Sequence, residues 1–360
     1  MAAHDLPTPD HPTGASQGSG RALRSLVTGG AGFIGSHLVD LLLSRGDHVT
    51  VVDNLSTGSR ANLPVEHPHL RFIEADLDHA LGALGPGEQF DQIYHLAAAV
   101  GVRLIVDEPI RSIETNIDQT ACLLRFALTH GPSGRAAPTL IASSSEVYGK
   151  AEKSPFSEDD DVVYGPTTRS RWSYAASKAV DEYLALAYHA KHGLPAVIVR
   201  FFNTVGPRQI GSYGMVLPNF VAAALAGQDV TVYGDGCQTR CFCDVRDVTR
   251  ALPRLLGTSG AAGRVFNLGA ERSISIADLA RLVISTLGSR SSLRFIPYDM
   301  AYSAGFEDLR RREPDLARIR GAIGFAPSIP LEQTIIDLAV ALREHAAAGG
   351  AGGVGGVVER

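Results

Sequence analysis

Tyr174 and Lys178 have the residue types and the spacing of a proton-transfer pair. They stand four positions apart in the segment Tyr-Ala-Ala-Ser-Lys, so a helix would place both side chains on one face. A phenol titrates at about pH 10, and a neighbouring ammonium stabilises the phenolate as a base for a hydroxyl proton. Ser144 can hydrogen-bond the same hydroxyl, and Glu146 adds a carboxylate two positions later. We predict these four residues as the catalytic group.

Three glycines near the amino terminus are spaced for a phosphate-binding turn. A short apolar run breaks at Gly29, Gly32 follows, and Gly35 lies near the start of an amphipathic stretch from Phe33 to Arg45. Gly29 permits the turn, Gly32 lets backbone N–H groups approach a pyrophosphate, and Gly35 lets a helix pack closely on the strand. Because a helix N-terminus attracts anions, this pattern predicts a dinucleotide site.

The next strand ends in an acidic residue suited to that site. The segment from His48 to Asp53 has a strand pattern, and the Asp53 carboxylate can accept both hydroxyls of an adenosine ribose. It would repel a 2′-phosphate, and no arginine follows until Arg60, so the residues favour NAD over NADP. The predicted cofactor-binding residues are Gly29, Gly32, Phe33, Ile34, Gly35, Asp53, Asn54, Ser56, Thr57, Gly58, Asp76, Leu77, Leu96, Ala97, Tyr174 and Lys178.

The elements that must position these residues alternate along the chain. Strand patterns recur at 70–74, 91–95 and 139–142, and the stretch 109–130 is typical of a long helix. This order predicts an α/β fold with a Rossmann doubly wound parallel sheet. Asp76 would then lie near adenine, and the small residues from Leu96 onward would leave room for the cofactor, because ligands bind at the carboxyl ends of such strands.

Composition excludes several classes of function. At 360 residues with a net charge of −5, the chain has no basic field for nucleic acid, and no apolar run is long enough for a membrane span. Its four cysteines, at 122, 237, 241 and 243, lack the spacing of a metal site, so we predict reduced thiols and no metal. The segment 1–21 is rich in Pro, Gly, Ser and His without an apolar core, and 346–360 is mostly Ala, Gly and Val. We expect both to be disordered tails of a soluble, cytoplasmic protein.

The glycine spacing, Asp53 and the Ser144, Tyr174 and Lys178 group together resemble the extended short-chain dehydrogenase/reductase family of nucleotide-sugar epimerases, dehydratases and decarboxylases. The resemblance spans about residues 24 to 340. It implies a Rossmann domain over 22–202 and a smaller C-terminal lobe over 203–345, interleaved with the sheet, that binds a nucleotide sugar. It also implies a homodimer formed through two helices of each chain, here 109–130 and 172–192.

The same resemblance implies three substrate-binding residues. Asn203 lies in the segment Arg-Phe-Phe-Asn-Thr-Val-Gly-Pro-Arg, which resembles the point where family members leave the sheet near the substrate diphosphate. Arg240 ends a segment similar to the family's substrate-covering strand and turn, and Arg312 occupies the place of another family arginine. A guanidinium suits this task because its fork can hold two phosphate oxygens at once.

The residues around Glu146 separate the reactions of the family. All begin by oxidising C4 of the sugar; simple 4-epimerases usually carry a small or hydroxyl residue at the position of Glu146, and 4,6-dehydratases carry an aspartate at the position of Ser145. Ser144-Ser145-Glu146 most resembles the Thr-Ser-Glu of UDP-glucuronate decarboxylases. That resemblance implies C4 oxidation, loss of CO2 from the resulting β-keto acid, and formation of a xylose nucleotide or its 4-keto form.

Other segments keep the alternatives open. The stretch 97–103 is closer to epimerases, the segment Trp-Ser-Tyr-Ala-Ala-Ser-Lys at 172–178 is more like dehydratases, and GDP-mannose-type dehydratases also have Thr-Ser-Glu. A 4-epimerase or a 4,6-dehydratase therefore remains an alternative. A non-catalytic NAD-binding scaffold is a further one, although it would be expected to have lost part of the Ser, Tyr and Lys group.

Overall fold

We analysed a computed structural model, which describes residues 21–85, 87–98, 108–211, 215–297, 300 and 310–347. Its strands are β1 Arg24–Thr28, β2 His48–Asp53, β3 Leu70–Glu74, β4 Gln92–His95, β5 Thr139–Ser144, β6 Ala196–Phe201, β7 Thr204–Val205, β8 Val230–Tyr233, β9 Thr239–Cys241, β10 Cys243–Asp244, β11 Arg264–Leu268, β12 Ser273–Ser275 and β13 Leu293–Ile296. Its α-helices are α1 Phe33–Ser44, α2 Leu77–Ala83, α3 Pro109–Ala127, α4 Ser173–His192, α5 Val216–Leu225, α6 Val245–Leu256, α7 Ile276–Thr286, α8 Ala317–Ile323 and α9 Leu331–Ala347.

Seven parallel strands form the central sheet, in the order β11-β6-β5-β4-β1-β2-β3. The order reverses direction at β1, so a crevice opens at the carboxyl ends of β1 and β4, where doubly wound sheets bind ligands. This arrangement confirms the predicted Rossmann-type α/β fold. Strand β11 comes late in the chain and still joins this sheet beside β6.

Apolar side chains cover both faces of the sheet. On one face, helices α1, α6 and α8 bury residues such as Leu38, Val248 and Ile319. On the other, helices α2, α3 and α4 bury residues such as Leu81 and Leu123. Because both faces are covered, most residues of the central strands are buried, including polar ones such as Ser25 and Thr139.

A third apolar cluster lies outside the main sheet. It joins helices α5, α7 and α9 with strand β8 through residues such as Leu217, Leu279 and Leu338. Three two-stranded sheets, β10-β7, β12-β9 and β13-β8, accompany it. This part of the chain therefore has its own core next to the carboxyl ends of the main sheet's last strands.

The element bounds agree closely with the sequence patterns. Strands β2 and β3 have the predicted ends, whereas β5 continues to Ser144 and helix α1 ends at Ser44, one residue before the predicted Arg45. The long helix α3 ends at Ala127, earlier than predicted, and a short 3-10 turn at Pro132–Gly134 follows it. Residues 1–20 and 348–360 of the predicted tails, and 99–103 of the epimerase-like stretch, lie outside the described residues, while residues 346 and 347 belong to α9.

Candidate active site

The glycine turn between β1 and α1 is packed so tightly that side chains are excluded. A Cβ atom on Gly35 would lie 2.1 Å from the carbonyl oxygen of Gly29, and one on Gly29 would lie 2.7 Å from the backbone nitrogen of Ala97. Gly29 also has a φ of +69°, which glycine adopts without strain. Gly32 is the N-cap of α1 and no side chain caps the helix, so the first N–H groups, including those of Phe33 and Ile34, have no side-chain capping partner. This geometry fits a pyrophosphate group.

Asp53 lies at the end of β2 and hydrogen-bonds the backbone of the same turn. Its carboxylate accepts backbone hydrogen bonds from Ala31 at 2.9 Å and Leu55 at 2.8 Å. Burial raises the pKa of this carboxyl, and the two N–H groups oppose the rise. Since each carboxylate oxygen can accept more than one hydrogen bond, Asp53 can hold the loop and still accept from a ribose.

The other predicted cofactor residues surround this turn. Asn54 donates to the Asp76 carboxylate at 2.7 Å and accepts from the backbone of Ser56 at 3.0 Å. Gly58 packs against Ala31, where a Cβ atom would come within 2.9 Å of the backbone. Leu77 begins helix α2, Leu96 and Ala97 follow β4, and Thr57 is exposed on the loop between Ser56 and Gly58. Because the glycine turn leaves no room for side chains, the backbone can approach a dinucleotide closely, and the residues present fit such a cofactor.

Ser144 and Tyr174 meet where β5 ends and α4 begins. Ser144 caps the 3-10 helix Ser145–Tyr148, accepting from the backbone of Glu146 at 3.2 Å, and its hydroxyl also hydrogen-bonds the Tyr174 phenol. Burial is the largest influence on the phenol and raises the pKa of Tyr174 above its ordinary value, and the charge of Glu146 adds to the rise. The neighbouring Ser143 donates to Glu182 at 2.5 Å, which ties the end of β5 to α4. The predicted serine and tyrosine are therefore brought together.

Lys178 lies one turn after Tyr174 and is buried with a carboxylate partner. Its ammonium donates to Asp181 at 2.7 Å, and the exposed fractions of the two side chains are 2% and 0%.

Burial lowers the pKa of His95 to about 3, and the positive charge of Lys178 contributes. His95 contacts Thr28 at 2.8 Å and Thr120 at 3.2 Å, so a neutral histidine lies between the start of the glycine turn and helix α3.

Glu146 is held by two arginines. Its Oε1 accepts from Arg312 at 2.5 Å, and its Oε2 lies 2.8 Å from a guanidinium nitrogen of Arg171. Burial alone would raise the pKa of this carboxyl, but the two guanidinium charges outweigh it and lower the pKa to about 2. Glu146 is therefore an anion at neutral pH in this arrangement. Arg171 belongs to no motif identified in the sequence; its position three residues before Tyr174 is the signal that could have pointed to it.

Arg312 is brought to Glu146 by pairing between two loops. Phe156 donates from its backbone to Glu313 at 2.8 Å and accepts from Asp315 at 2.8 Å, forming a parallel bridge with Pro314. Phe156 is 1% exposed and stacks on Tyr148, which belongs to the same 3-10 turn as Glu146. The segment that follows residue 310 is thereby fixed against the end of β5.

The other two predicted substrate residues lie around β9. The Asn203 amide donates to the carbonyl of Cys241 at 3.2 Å, and the Asn203 backbone has a φ of +29°. Arg240 is buried and donates to the carbonyl of Thr239 at 2.8 Å. Both residues thus lie together at the edge of the third apolar cluster.

Within the described ranges, no group of three or more His, Cys, Asp and Glu side chains is placed to hold a metal ion. The four cysteines are free thiols, of which Cys241 and Cys243 are buried and Cys237 is exposed. Burial raises the pKa of the Cys241 thiol to about 12, so it is protonated at neutral pH. None of the described helices is both long and apolar enough to cross a bilayer.

Comparison with known proteins gives a consistent result. A family model described as the NAD dependent epimerase/dehydratase family matches residues 25–269. A UDP-N-acetyl-alpha-D-glucosaminuronate decarboxylase from Bacillus cytotoxicus is 41% identical over 318 residues, covering 86% of this chain and 94% of that protein. UDP-glucuronic acid decarboxylase 1 from Xenopus tropicalis is 36% identical over 312 residues, covering 86% and 70%. A solved dTDP-glucose 4,6-dehydratase from Streptomyces venezuelae, with NAD bound, superposes with a TM-score of 0.78 at 31% identity, covering 91% and 98%.

Proposed function

This chain belongs to the NAD-dependent epimerase/dehydratase family, and we propose from that premise that it is a decarboxylase of a UDP-linked hexuronic acid, with UDP-glucuronate as substrate. The observation that carries the proposal is the Glu146 carboxylate between Arg171 and Arg312, beside the Ser144 and Tyr174 pair. The guanidinium groups of this cluster are the cations that we propose for holding the sugar carboxylate. The 41% identity to a UDP-N-acetylglucosaminuronate decarboxylase favours the 2-acetamido uronate as a second candidate substrate.

The cofactor is NAD. When bound, NAD accepts a hydride from C4 of the sugar and can return it. The proposed holding residues are the glycine turn and the N-terminus of α1 for the pyrophosphate, Asp53 for the adenosine ribose, and Asn54, Asp76 and their neighbours for the adenine side. Leu96 and Ala97 would line the way to the nicotinamide side.

The proton transfer belongs to Tyr174. We assign the Tyr174 phenol as the base for the C4 hydroxyl, and Ser144, which already hydrogen-bonds that phenol, as the group that orients the hydroxyl. Lys178 supplies positive charge from the next helical turn. Once C4 is a ketone, the carboxyl at C5 is that of a β-keto acid. The C5–carboxyl bond then breaks, CO2 leaves, and the electron pair is taken up by the ketone as an enolate, which gains a proton at C5.

Glu146 and Arg312 would serve the second stage of the reaction. Arg312 would hold the sugar carboxylate, while the Glu146 carboxylate positions the sugar or a water molecule beside it. Ser145 is buried where dehydratases of the family have an aspartate, and a hydroxyl is a poor acid for a departing C6 hydroxyl. Decarboxylation needs no such acid, which supports this reaction over 4,6-dehydration.

The remaining proposals concern organisation. The separate apolar cluster of α5, α7 and α9 supports a substrate-binding lobe over 203–345, with Asn203 and Arg240 on the nucleotide diphosphate. Exposed apolar residues on α3 and α4 support a homodimer through these helices. The free thiols are in keeping with a reducing, cytoplasmic location, which cell fractionation tests.

Mass spectrometry of products tests the reaction. Purified protein with NAD is incubated separately with UDP-glucuronate, UDP-N-acetylglucosaminuronate, UDP-glucose and dTDP-glucose. We expect a uronate to lose the mass of one CO2, with a further gain of two hydrogens if the ketone is reduced before release. Loss of one water from a hexose would show a dehydratase, and inversion at C4 without a change in mass would show an epimerase; either result would overturn the proposal.

Tyr174→Phe provides the matched control for that experiment. It removes one hydroxyl from a buried ring that is 6% exposed and leaves the helix intact. We expect NAD to remain bound while C4 oxidation is lost, since the base is missing. Full activity in this variant would contradict the assigned mechanism. A wild-type protein that binds NAD but is inert to every nucleotide sugar would instead favour the non-catalytic scaffold.

A further inference from the structure

Asp181 has a buried carboxylate oxygen without a hydrogen-bond partner. Its Oδ2 accepts from Lys178 at 2.7 Å, but its Oδ1 has no partner among the described residues, and the Asp181 side chain is 0% exposed. Burial raises the pKa of this carboxyl, whereas Lys178 and the hydroxyl of Thr120, on α3, lower it. Because a buried acceptor without a donor costs free energy, the Thr120 hydroxyl is placed to donate to this oxygen.

Thr120 is the last member of a buried polar row, which consists of Thr28, His95 and Thr120. The Thr28 hydroxyl, at the end of β1, accepts from the backbone N–H of Ala97 at 3.3 Å and lies 2.8 Å from Nδ1 of His95. The other ring nitrogen of His95, Nε2, lies 3.2 Å from the Thr120 hydroxyl. No member of the polar row is more than 1% exposed, so these groups must satisfy one another.

Only one direction of hydrogen bonding uses every proton of the polar row. Since the Thr28 hydroxyl already accepts from Ala97, it can give its own proton to Nδ1 of His95. Burial lowers the pKa of His95 to about 3, and a neutral imidazole that accepts at Nδ1 carries its proton on Nε2. Nε2 then donates to Thr120, whose own proton must point to another acceptor. The opposite direction would leave Oδ1 of Asp181 without a donor among the described residues.

We infer that His95 and Thr120 are positioning residues, which aim a hydroxyl proton at the Asp181 carboxylate and so weaken the negative charge that Tyr174 experiences. A hydroxyl dipole directed at an anion offsets part of the field of that anion. His95 fixes the direction of the dipole, because its N–H occupies the acceptor side of the Thr120 hydroxyl. This inference rests on the proposed function, since it needs Tyr174 to act as the base.

The charged groups that face Tyr174 and Asp181 are identified. Burial raises the pKa of Tyr174, and Glu146 of the 3-10 turn and Asp181 of α4 raise it further. Asp181 faces two charged residues of its own helix, of which Lys178 lowers the pKa of its carboxyl and Glu182 raises it. These charges stay in place when a hydroxyl of the polar row is removed, so a change in the pH profile can be assigned to that hydroxyl.

The pH dependence of kcat/KM tests the role of the Thr120 hydroxyl. Thr120→Val removes it with little change of shape, so more of the Asp181 charge reaches Tyr174 and the rise of kcat/KM should move to higher pH. At a fixed pH below the midpoint of that rise, we expect kcat/KM to fall by about threefold. Thr120→Ser keeps a hydroxyl and should restore the wild-type profile.

Thr139→Val is the matched control for the loss of a buried hydroxyl. Thr139 is 0% exposed at the start of β5, and its hydroxyl donates to the carbonyl of Ala137 at 2.8 Å. This hydrogen bond lies at the end of the strand opposite Ser144. We expect Thr139→Val to leave the pH profile in place.

Two variants of His95 separate its two hydrogen bonds. The amide of His95→Gln can donate near the position of Nε2, towards Thr120, and that of His95→Asn can accept near the position of Nδ1, from Thr28. We expect His95→Asn to move the profile to higher pH, as Thr120→Val does, and His95→Gln to leave it nearly unchanged. In an Asp181→Asn background, Thr120→Val should not move the profile, because the charge that its hydroxyl weakens is gone.

The outcomes separate this inference from the proposed function, because the profiles are measured with whichever nucleotide sugar the wild-type protein oxidises. A loss of kcat/KM that is equal at every pH, a shift to lower pH, or a shift that persists in the Asp181→Asn background would show a merely structural role for Thr120 and overturn the inference. Equal shifts in both His95 variants would overturn the role of His95. If the wild-type protein acts only on a hexose, the proposed function fails and the profiles still decide the inference. If Tyr174→Phe keeps full activity, or no nucleotide sugar is oxidised, both fail.

Discussion

The phenol of Tyr174 is surrounded by groups that keep it protonated in the absence of substrate. Burial raises its pKa, the carboxylates of Glu146 and Asp181 raise it further, and only the hydrogen bond from Ser144 lowers it. Lys178, the expected source of stabilising charge, is itself paired with Asp181 at 2.7 Å. Tyr174, the proposed base, therefore has a raised pKa, and the charge of Asp181 is one of the causes of that rise.

Replacing Asp181 should change the pH dependence of the reaction in a defined direction. Asp181→Asn removes a negative charge that raises the pKa of Tyr174, so that pKa should fall. The rise of kcat/KM with increasing pH, which reports deprotonation of the base in the free enzyme, should then move to lower pH. Asp229→Asn, an equal charge change at an exposed position, is the control and should leave the profile in place. A shift to higher pH would contradict this reading of the site.

Single site residues could be predicted from the sequence where they depend on local spacing. Gly35, Tyr174 and Lys178 were predicted from local spacing, since Gly35 packs on Gly29 and Lys178 lies one helical turn after Tyr174, and the Ser144 hydroxyl reaches Tyr174. The partner of Lys178 could not be chosen from the sequence. Several acidic residues lie within reach along the chain, and only the packing of α4 against α3 decides which of them is buried beside it.

At the scale of the elements, the paired loops around Phe156 and Pro314 hold Arg312 next to Glu146. Their parallel bridge fixes the segment after residue 310 beside the 3-10 turn that carries Glu146. The Phe156 ring stacks on Tyr148 with centroids 4.6 Å apart, and Tyr148 in turn donates to Asn267 at 2.6 Å. The position of Arg312 thus depends on a small apolar cluster and not on a helix or strand of its own.

Removing the Phe156 ring should disturb both stability and the second stage. Phe156→Ala should lower the free energy of unfolding by about 3–5 kcal/mol, as for other buried aromatic rings, measured by urea denaturation. It should also lower uronate turnover in the protein that remains folded, because Arg312 loses its support. Phe90→Ala, at a ring equally buried in the second core cluster, is the matched control. A comparable loss of turnover in both variants would refute the specific connection to Arg312.

Elements were predictable from the sequence to the extent that they follow an apolar pattern. Strands β2 and β3 and helix α1 have such patterns and were placed to within a residue at each end. The Arg312 to Glu146 contact joins positions 166 apart in the chain. No periodicity encodes it, because it arises from loop pairing that exists only once the sheet has formed.

At the scale of the whole molecule, large apolar residues are exposed on α3 and on α4, the helix that carries Tyr174 and Lys178. Ile110 on α3 and Val180 and Tyr183 on α4 are 72%, 39% and 68% exposed, although each is a large apolar or aromatic residue. Exposed apolar side chains grouped on neighbouring helices are typical of subunit interfaces. Because α4 also carries Tyr174 and Lys178, a dimer formed here would hold the catalytic helix from its outer side.

Light scattering tests the proposed dimer and its location. The wild-type protein should have the mass of two chains, and Tyr183→Glu should have the mass of one, because it places a charge in an apolar interface. Val340→Glu changes an apolar residue of α9 that is 47% exposed and should leave the mass unchanged. A wild-type mass of one chain, or dissociation only by Val340→Glu, would contradict the proposed interface.

The contact between Arg312 and Glu146 shows that residues proposed for different steps of the reaction lie in different parts of the chain. Everything assigned to oxidation, from Gly29 to Lys178, lies before the sixth strand of the sheet, whereas the arginine assigned to the sugar carboxylate arrives from a loop near the carboxyl terminus. Besides Glu146 and Ser145, the choice of reaction is therefore assigned to a loop that lies far along the chain from the oxidising residues. Transplanting a few residues around position 312 is accordingly a route to redirecting the fate of a 4-keto sugar while its formation is left intact.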